Sequence, residues 1–260
     1  MNHRMPALAA LCVLLGGCAA APAKLDLRDP FERTNRATFR FNDALDRAVA
    51  RPVTKVYRKV TPHFARTGVS NFMANAGYTT VILNDFLQAK FADGVADLGR
   101  LLLNSTLGLG GLLDPATAAG LEAHDEDFGQ TLGKWGMKSG PYLVLPILGP
   151  STIRDTFGLI PDEFADPRQY IKDPYVKWGL QLLRQVDRRS RLMDADAVLD
   201  RAADKYVLVR SAYLQRRAYQ VLDGDMPDQL PEDMDDPDPG ADSPQPAAVQ
   251  PPDVTAERPK

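Results

Sequence analysis

The chain has 260 residues, 44% hydrophobic and 25% charged, with a formal net charge of −3. Two cysteines, Cys12 and Cys18, are too few for a disulfide scaffold, and no stretch reaches the roughly 18 uninterrupted apolar residues of an ordinary transmembrane helix. The net charge hides a division: residues 223–260 hold 11 acidic residues, two basic ones and nine prolines, so that stretch carries −9 and the first 222 residues +6.

At the N-terminus Arg4 precedes an apolar run over residues 6–15, followed by Gly16, Gly17, Cys18, Ala19 and Ala20. A positive start, a short apolar segment and small residues form a secretory signal peptide. Leu15-Gly16-Gly17-Cys18 resembles the bacterial lipoprotein signal, which implies removal of residues 1–17, lipidation of Cys18 and a tether over 18–28. Ala19 stands where an aspartate would retain such a protein in the inner membrane, so the resemblance implies a lipid anchor on the periplasmic face of the outer membrane. With Cys12 removed and Cys18 lipidated, the exported body has no thiol, and its stability rests on a core of its own.

Asp29-Pro30-Phe31-Glu32 reads as a helix start, with Asp29 as cap, Pro30 at the first position and Glu32 in a capping box. This helix is expected to run to about Ala48. Pro52 opens a helix over 53–60 and Pro62 another over 63–74; Gly77 breaks the pattern, which resumes over 78–88. In the segment 91–107, Phe91, Val95, Leu98 and Leu102 form a stripe at helical spacing, consistent with a buried helix or with one lying in a bilayer interface. Residues 108–149 are rich in glycine. Within them Tyr142 to Leu145 reads as extended, bounded by Pro146 and Pro150, giving a hairpin or a mobile loop. Ser151 caps a short helix to about Leu159, and two longer helices cover 175–199 and 205–221. Residues 29–222 thus form an all-α domain with one short hairpin or loop. The acidic, proline-rich 223–260 cannot bury enough apolar surface to fold and reads as a disordered tail.

Chemistry-bearing patterns are few. There is no Gly-x-Ser-x-Gly and no His-Glu-x-x-His. The run from Glu122 to Asp127 offers one imidazole, His124, among local carboxylates, and reads as a solvated turn, not a metal site. Gly129 to Trp135 echoes a phosphate loop but is one residue short and ends in Trp where a Ser or Thr would hold Mg²⁺. No catalytic residue, cofactor, metal or nucleic-acid contact is expected.

Several blocks, in order, resemble the MlaA/VacJ family of outer-membrane lipoproteins. They begin with Asp29-Pro30-Phe31-Glu32, Asn35-Arg36, Phe41-Asn42 and Arg51-Pro52-Val53. They continue through Gly68 to Phe72, Asn84 to Gln88, Asn104 to Gly108, Asp127 to Gly133, Gly140 to Pro146 and Arg154-Asp155, and end at Arg210 to Tyr213. The resemblance implies a ring-like bundle of amphipathic helices embedded in one leaflet. It also implies a channel that removes mislocalised phospholipid from the outer leaflet, a trimeric porin partner and a soluble periplasmic lipid carrier. By the same resemblance, Asn35, Phe41 and Asn42 belong to a first helix that gates lipid flow, with Arg40 where the family has asparagine. Gly136, Gly140 and Pro141 form the hinge of a gating loop in which Lys138 replaces a glycine, and Lys177 lines the channel. A non-transporting scaffold that binds porins or envelope machinery is the alternative class.

Overall fold

A computed structural model describes residues 29–226; the signal peptide expected over 1–17, the lipidated tether expected over 18–28, and the acidic stretch beyond Met226 lie outside the described residues. Helix α1 (Glu32–Leu45) has no side-chain cap at its start. The carboxylate of Asp29 is buried instead and accepts from Asn35 Nδ2 at 2.8 Å and from the Tyr206 hydroxyl. The expected capping box is therefore a long-range tie, and Glu32 pairs with Arg36 at 2.6 Å. One π-helical turn (Asp46–Ala50) leads directly into α2 (Arg51–Val60). Pro52 has no N–H for the carbonyl of Ala48, and the widened turn absorbs the lost bond, so the rod continues where two helices are expected.

Helix α3 (His63–Leu87) runs unbroken through Gly77. A Cβ added there would lie 3.0 Å from Arg168 Nη2, and Arg168 Nη1 donates to the Met73 carbonyl at 3.1 Å. Gly77 makes room for a guanidinium; it does not end a helix. A tight turn leads to α4 (Phe91–Thr106), and the glycine-rich connection carries short α5 (Pro115–Ala118) and α6 (Phe128–Lys134), capped by Asp114 and Asp127.

Strands β1 (Tyr142–Leu145) and β2 (Gly149–Thr152) pair antiparallel, with Leu145 opposite Gly149, which settles for the hairpin. Because Ser151 belongs to β2, Thr152 caps α7 (Ile153–Ala165), accepting from the Asp155 N–H at 3.2 Å. That helix passes Pro161 and ends beyond Leu159. After a 3₁₀ turn (Pro167–Tyr170) comes α8 (Pro174–Leu192), capped by Asp173. The single helix expected over 175–199 is divided by a second 3₁₀ turn (Met193–Ala195) before α9 (Asp196–Arg201). Asp204 caps α10 (Lys205–Val221).

Contacts between elements close on themselves. Helix α1 joins α2 through the π turn, α2 packs on α8, α8 on α3, α3 on α7, α7 on β2, and β1 returns to α1. Helix α4 lies along α3, and α10 packs against α6 and β2. The body is a helical ring, as the family resemblance implies, with one hairpin where a hairpin or a loop is expected.

Candidate functional site

Polarity is inverted across much of the surface. Phe91, Val95, Leu98 and Leu102, the stripe of α4, all face outward, Phe91 at 64% and Leu102 at 57% exposure, while Asp97 and Arg100 of the same helix are buried. Of the two placements open for this segment, the buried one is ruled out. The inward face binds the connection beside it: Asn104 Oδ1 accepts from the Ala116 N–H at 3.1 Å and Arg100 donates to Asp114 and to the Leu121 carbonyl. Similar outward residues recur around the circuit, among them Val56 and Val60 on α2, Phe64 on α3, Ile160 and Phe164 on α7 and Trp178 on α8. The buried apolar cluster is small, Tyr142, Val144 and Tyr206 with Phe39, Tyr213 and Leu214 against them.

The hairpin is fastened to α1 by two asparagines seven residues apart, hence on one helical face. Asn35 Nδ2 donates to the Tyr142 carbonyl at 2.9 Å and its Oδ1 accepts from Val144 N–H at 2.9 Å. Asn42 repeats the pattern at the strand's end, donating to the Leu145 carbonyl at 2.9 Å and accepting from Ile147 N–H at 2.8 Å. Phe41 is exposed. Thus Asn35 and Asn42 share a joint, and Phe41 points away from it.

Gly136 (φ +92°) ends α6: its N–H bonds the Gly133 carbonyl and that of Met137 the Leu132 carbonyl, a Schellman stop that needs the left-handed conformation. Gly140 also has positive φ, and an added Cβ there would lie 3.3 Å from Ile153 Cβ. The Pro141 carbonyl accepts from Ile153 N–H at 3.2 Å, and Ser139 between the two glycines is buried. The segment from Gly136 to Pro141 is therefore pinned at its distal end.

Lys177 is half-buried and donates to the Gln169 carbonyl at 3.1 Å. With Glu163, Arg168, Gln169, Trp178, Leu180 and Gln181 it lines a cavity of about 210 Å³. Arg168 is held by Asp166 and the Met73 carbonyl. Burial, then the charge of Arg168, pushes the nearby Arg184 guanidinium below its ordinary value, against its 3.6 Å partner Asp166. Cations with an indole and a leucine give the cavity mixed polarity.

Three of the quoted blocks meet in one buried ion network. Arg217 of α10 bonds Asp127 at 2.7 Å and Asp155 at 2.8 Å, the Tyr213 hydroxyl donates to Asp155 at 2.7 Å, and Arg154 bonds Asp155 at 3.0 Å. Burial opposes the Asp155 charge, but Arg217, Arg154 and Tyr213 outweigh it and hold this carboxyl at about 2. No local pattern marks this network, because Tyr213 and Arg217 lie 58 to 90 positions from the carboxylates they bind. Asp97 and Arg100 stand off the apolar stripe in the sequence and Asn104 belongs to a family-like block, but only the fold shows that their shared face turns inward. Among the described residues, no group of three or more His, Cys, Asp or Glu is placed to hold a metal ion, and no helix is long and apolar enough to cross a membrane.

Residues 27–220 match the MlaA lipoprotein family. The intermembrane phospholipid transport system lipoprotein MlaA of Escherichia coli is 36% identical over 231 residues, covering 87% of this chain and 92% of that one. Its namesake in Haemophilus influenzae is 29% identical over 235 residues, with 85% and 93% covered. A chain solved in work on the structural basis for maintenance of bacterial outer membrane lipid asymmetry superposes with a TM-score of 0.67 at 35% identity, over 74% of this chain and 98% of that one. The match spans nearly all of the helical ring, its hairpin joint and its buried ion network, and the chain belongs to the MlaA lipoprotein family.

Proposed function

We propose that the protein is anchored through Cys18 to the periplasmic leaflet of the outer membrane and removes phospholipid that has strayed into the outer leaflet. The lipid travels through an amphipathic passage and is handed to a soluble periplasmic carrier, with a trimeric porin as the membrane partner. The observation that carries this reading is the inverted surface: apolar side chains outward around the circuit, polar ones inside. A ring with that surface is solvated by acyl chains, and the names of the similar proteins, which place them in intermembrane phospholipid transport, support it.

Energetics point the same way. A phospholipid exposes some 30 CH₂ groups, and at about 0.8 kcal/mol each an unaided crossing of water costs on the order of 20 kcal/mol. A passage that shelters the chains lowers that barrier without fuel. The Lys177 cavity offers the lysine ammonium to a headgroup phosphate beside Trp178 and Leu180, Arg168 being paired with Asp166, while the Asn35–Asn42 joint and the Gly136–Pro141 segment set how the hairpin sits beside the ring.

Deleting the protein is expected to raise outer-leaflet phospholipid and detergent sensitivity; unchanged surface phospholipid in a clean deletion overturns the reading. Lipid should co-purify with protein extracted without detergent. A non-transporting scaffold instead retains its partners and carries no lipid. Lys177→Glu loses one backbone contact and is expected to fold, yet to slow lipid delivery in a vesicle-to-carrier assay several-fold.

A further inference from the structure

We infer that Asp85 of α3 and Asp97 of α4 share one proton in the folded protein, and that this proton is one of the fastenings between the two helices, beside the bonds from Tyr78 to Asp97 and from Asn75 to Ser105. Both residues have no exposed surface. Neither oxygen of Asp85 receives a hydrogen bond from an N–H or hydroxyl donor, and the neighbour within bonding reach is the Asp97 carboxylate. Both Asp97 oxygens already have partners: Oδ1 accepts from the Tyr78 hydroxyl at 3.0 Å and Oδ2 lies 3.0 Å from His124 Nδ1. An ionised Asp85 would be a buried charge facing another acceptor, an arrangement relieved only by a proton between them. The helices are close here, since a Cβ added at Gly94 would lie 3.3 Å from Asp85 Cβ.

The surrounding charges do not substitute for that proton. On α4, Asp93 faces His124 at 4.0 Å, and Arg100 is turned to Asp114 and the Leu121 carbonyl. Glu126, from the segment before α6, adds negative charge and is held by Lys90, which also binds Asp223 after α10. Asp162 of α7 binds Asn84, next to Asp85. Burial, then the hydrogen bond and charge of Asp97, pushes the Asp85 carboxyl up to about 7 from 3.8.

The sign follows from linkage. The folded protein keeps a proton that the opened segment releases, so the stabilisation is complete below about pH 4 and is lost as pH rises toward 7. The outer face of α4 is the Phe91–Leu102 stripe, so the fastening lies directly behind an apolar outer wall. Acid tightens that wall and neutral or alkaline conditions slacken it. This inference stands on the interior geometry and is independent of the lipid route proposed above.

The test is hydrogen exchange of the α4 amides in the full-length protein from pH 5 to pH 8, corrected for intrinsic rates. In the wild type, protection should fall by up to about tenfold per pH unit toward neutrality and then level off. In Asp85→Asn the amide donates to Asp97 at every pH, and the α4 profile should be flat. Asp162→Asn and His124→Gln should keep the wild-type slope in α4. A wild type without the slope, an Asp85→Asn profile that keeps it, or loss of the slope in His124→Gln overturns the inference. Should Asp85→Asn fail to fold, infrared spectroscopy decides: Asp162 is also pushed up by burial, to about 6, so a buried protonated-carboxyl band at pH 6 that fades above neutrality, persists in Asp162→Asn and is lost in Asp97→Asn supports the shared proton, and its absence from Asp162→Asn overturns it.

Discussion

Asn42 holds the hairpin turn in a conformation that a β-branched residue avoids. Ile147 has φ of +68° and is 74% exposed, so no packing compensates the strain. What holds it is the bond from its N–H to Asn42 Oδ1. Asn42→Ala is expected to cost about 1–2 kcal/mol in denaturant unfolding, and Ile147→Gly, which relieves the left-handed strain, to return about 1 kcal/mol of it. A second residue-scale prediction concerns Asp155. Its folded value near 2 lies below that of an ordinary carboxyl, so its stabilisation is complete at neutral pH and is lost as pH falls from about 4 to 2. Asp155→Asn leaves Arg154 and Arg217 buried with one carboxylate fewer, at roughly 3–5 kcal/mol in thermal unfolding at pH 7. Neither role was visible along the chain. The first-helix asparagines are placed by the family resemblance, but their acceptors on β1 lie more than 100 positions away, beyond the reach of any local pattern.

Proline and periodicity marked most elements, because both act within a few residues. Pro52 and Pro62 stand where helical turns change, and the run from Tyr142 to Leu145 forms a strand. Gly77 misled because its use is set by Arg168, 91 positions on, and Asp29 because Tyr206 and Asn35 compete for its carboxylate. Periodicity also found the stripe on α4 but gave no direction, since the same spacing serves a core and a bilayer. That direction is testable: Leu98→Ser with Leu102→Ser should change thermal stability in detergent by only about 0.5 kcal/mol per site, where buried leucines would each cost about 2–5 kcal/mol on truncation, and should weaken vesicle flotation. Gly136→Ala forces a side chain into the left-handed stop of α6 and should cost about 1 kcal/mol or more in the same melts.

Across the whole molecule, the ring closes through side chains as much as through packing, with Asp29, Asn35 and Tyr206 joining the two ends of the described chain. The last turn is tied down too: Asp223, read as the first residue of a free tail, binds Lys90 and Lys134. Removing residues 227–260 is therefore expected to leave the melting temperature unchanged, whereas ending the chain at Leu222 should lower it measurably by calorimetry. The outward-facing hydrocarbon has a further consequence for biogenesis. On the route this family resemblance implies, a newly exported copy meets an aqueous gap before it meets its destination. Whatever escorts it there has to cloak Phe64, Phe91, Phe164 and Trp178 in transit. On the membrane placement proposed above, those side chains would answer to an escort in transit as well as to a bilayer, so polar replacements that ease delivery should also loosen residence.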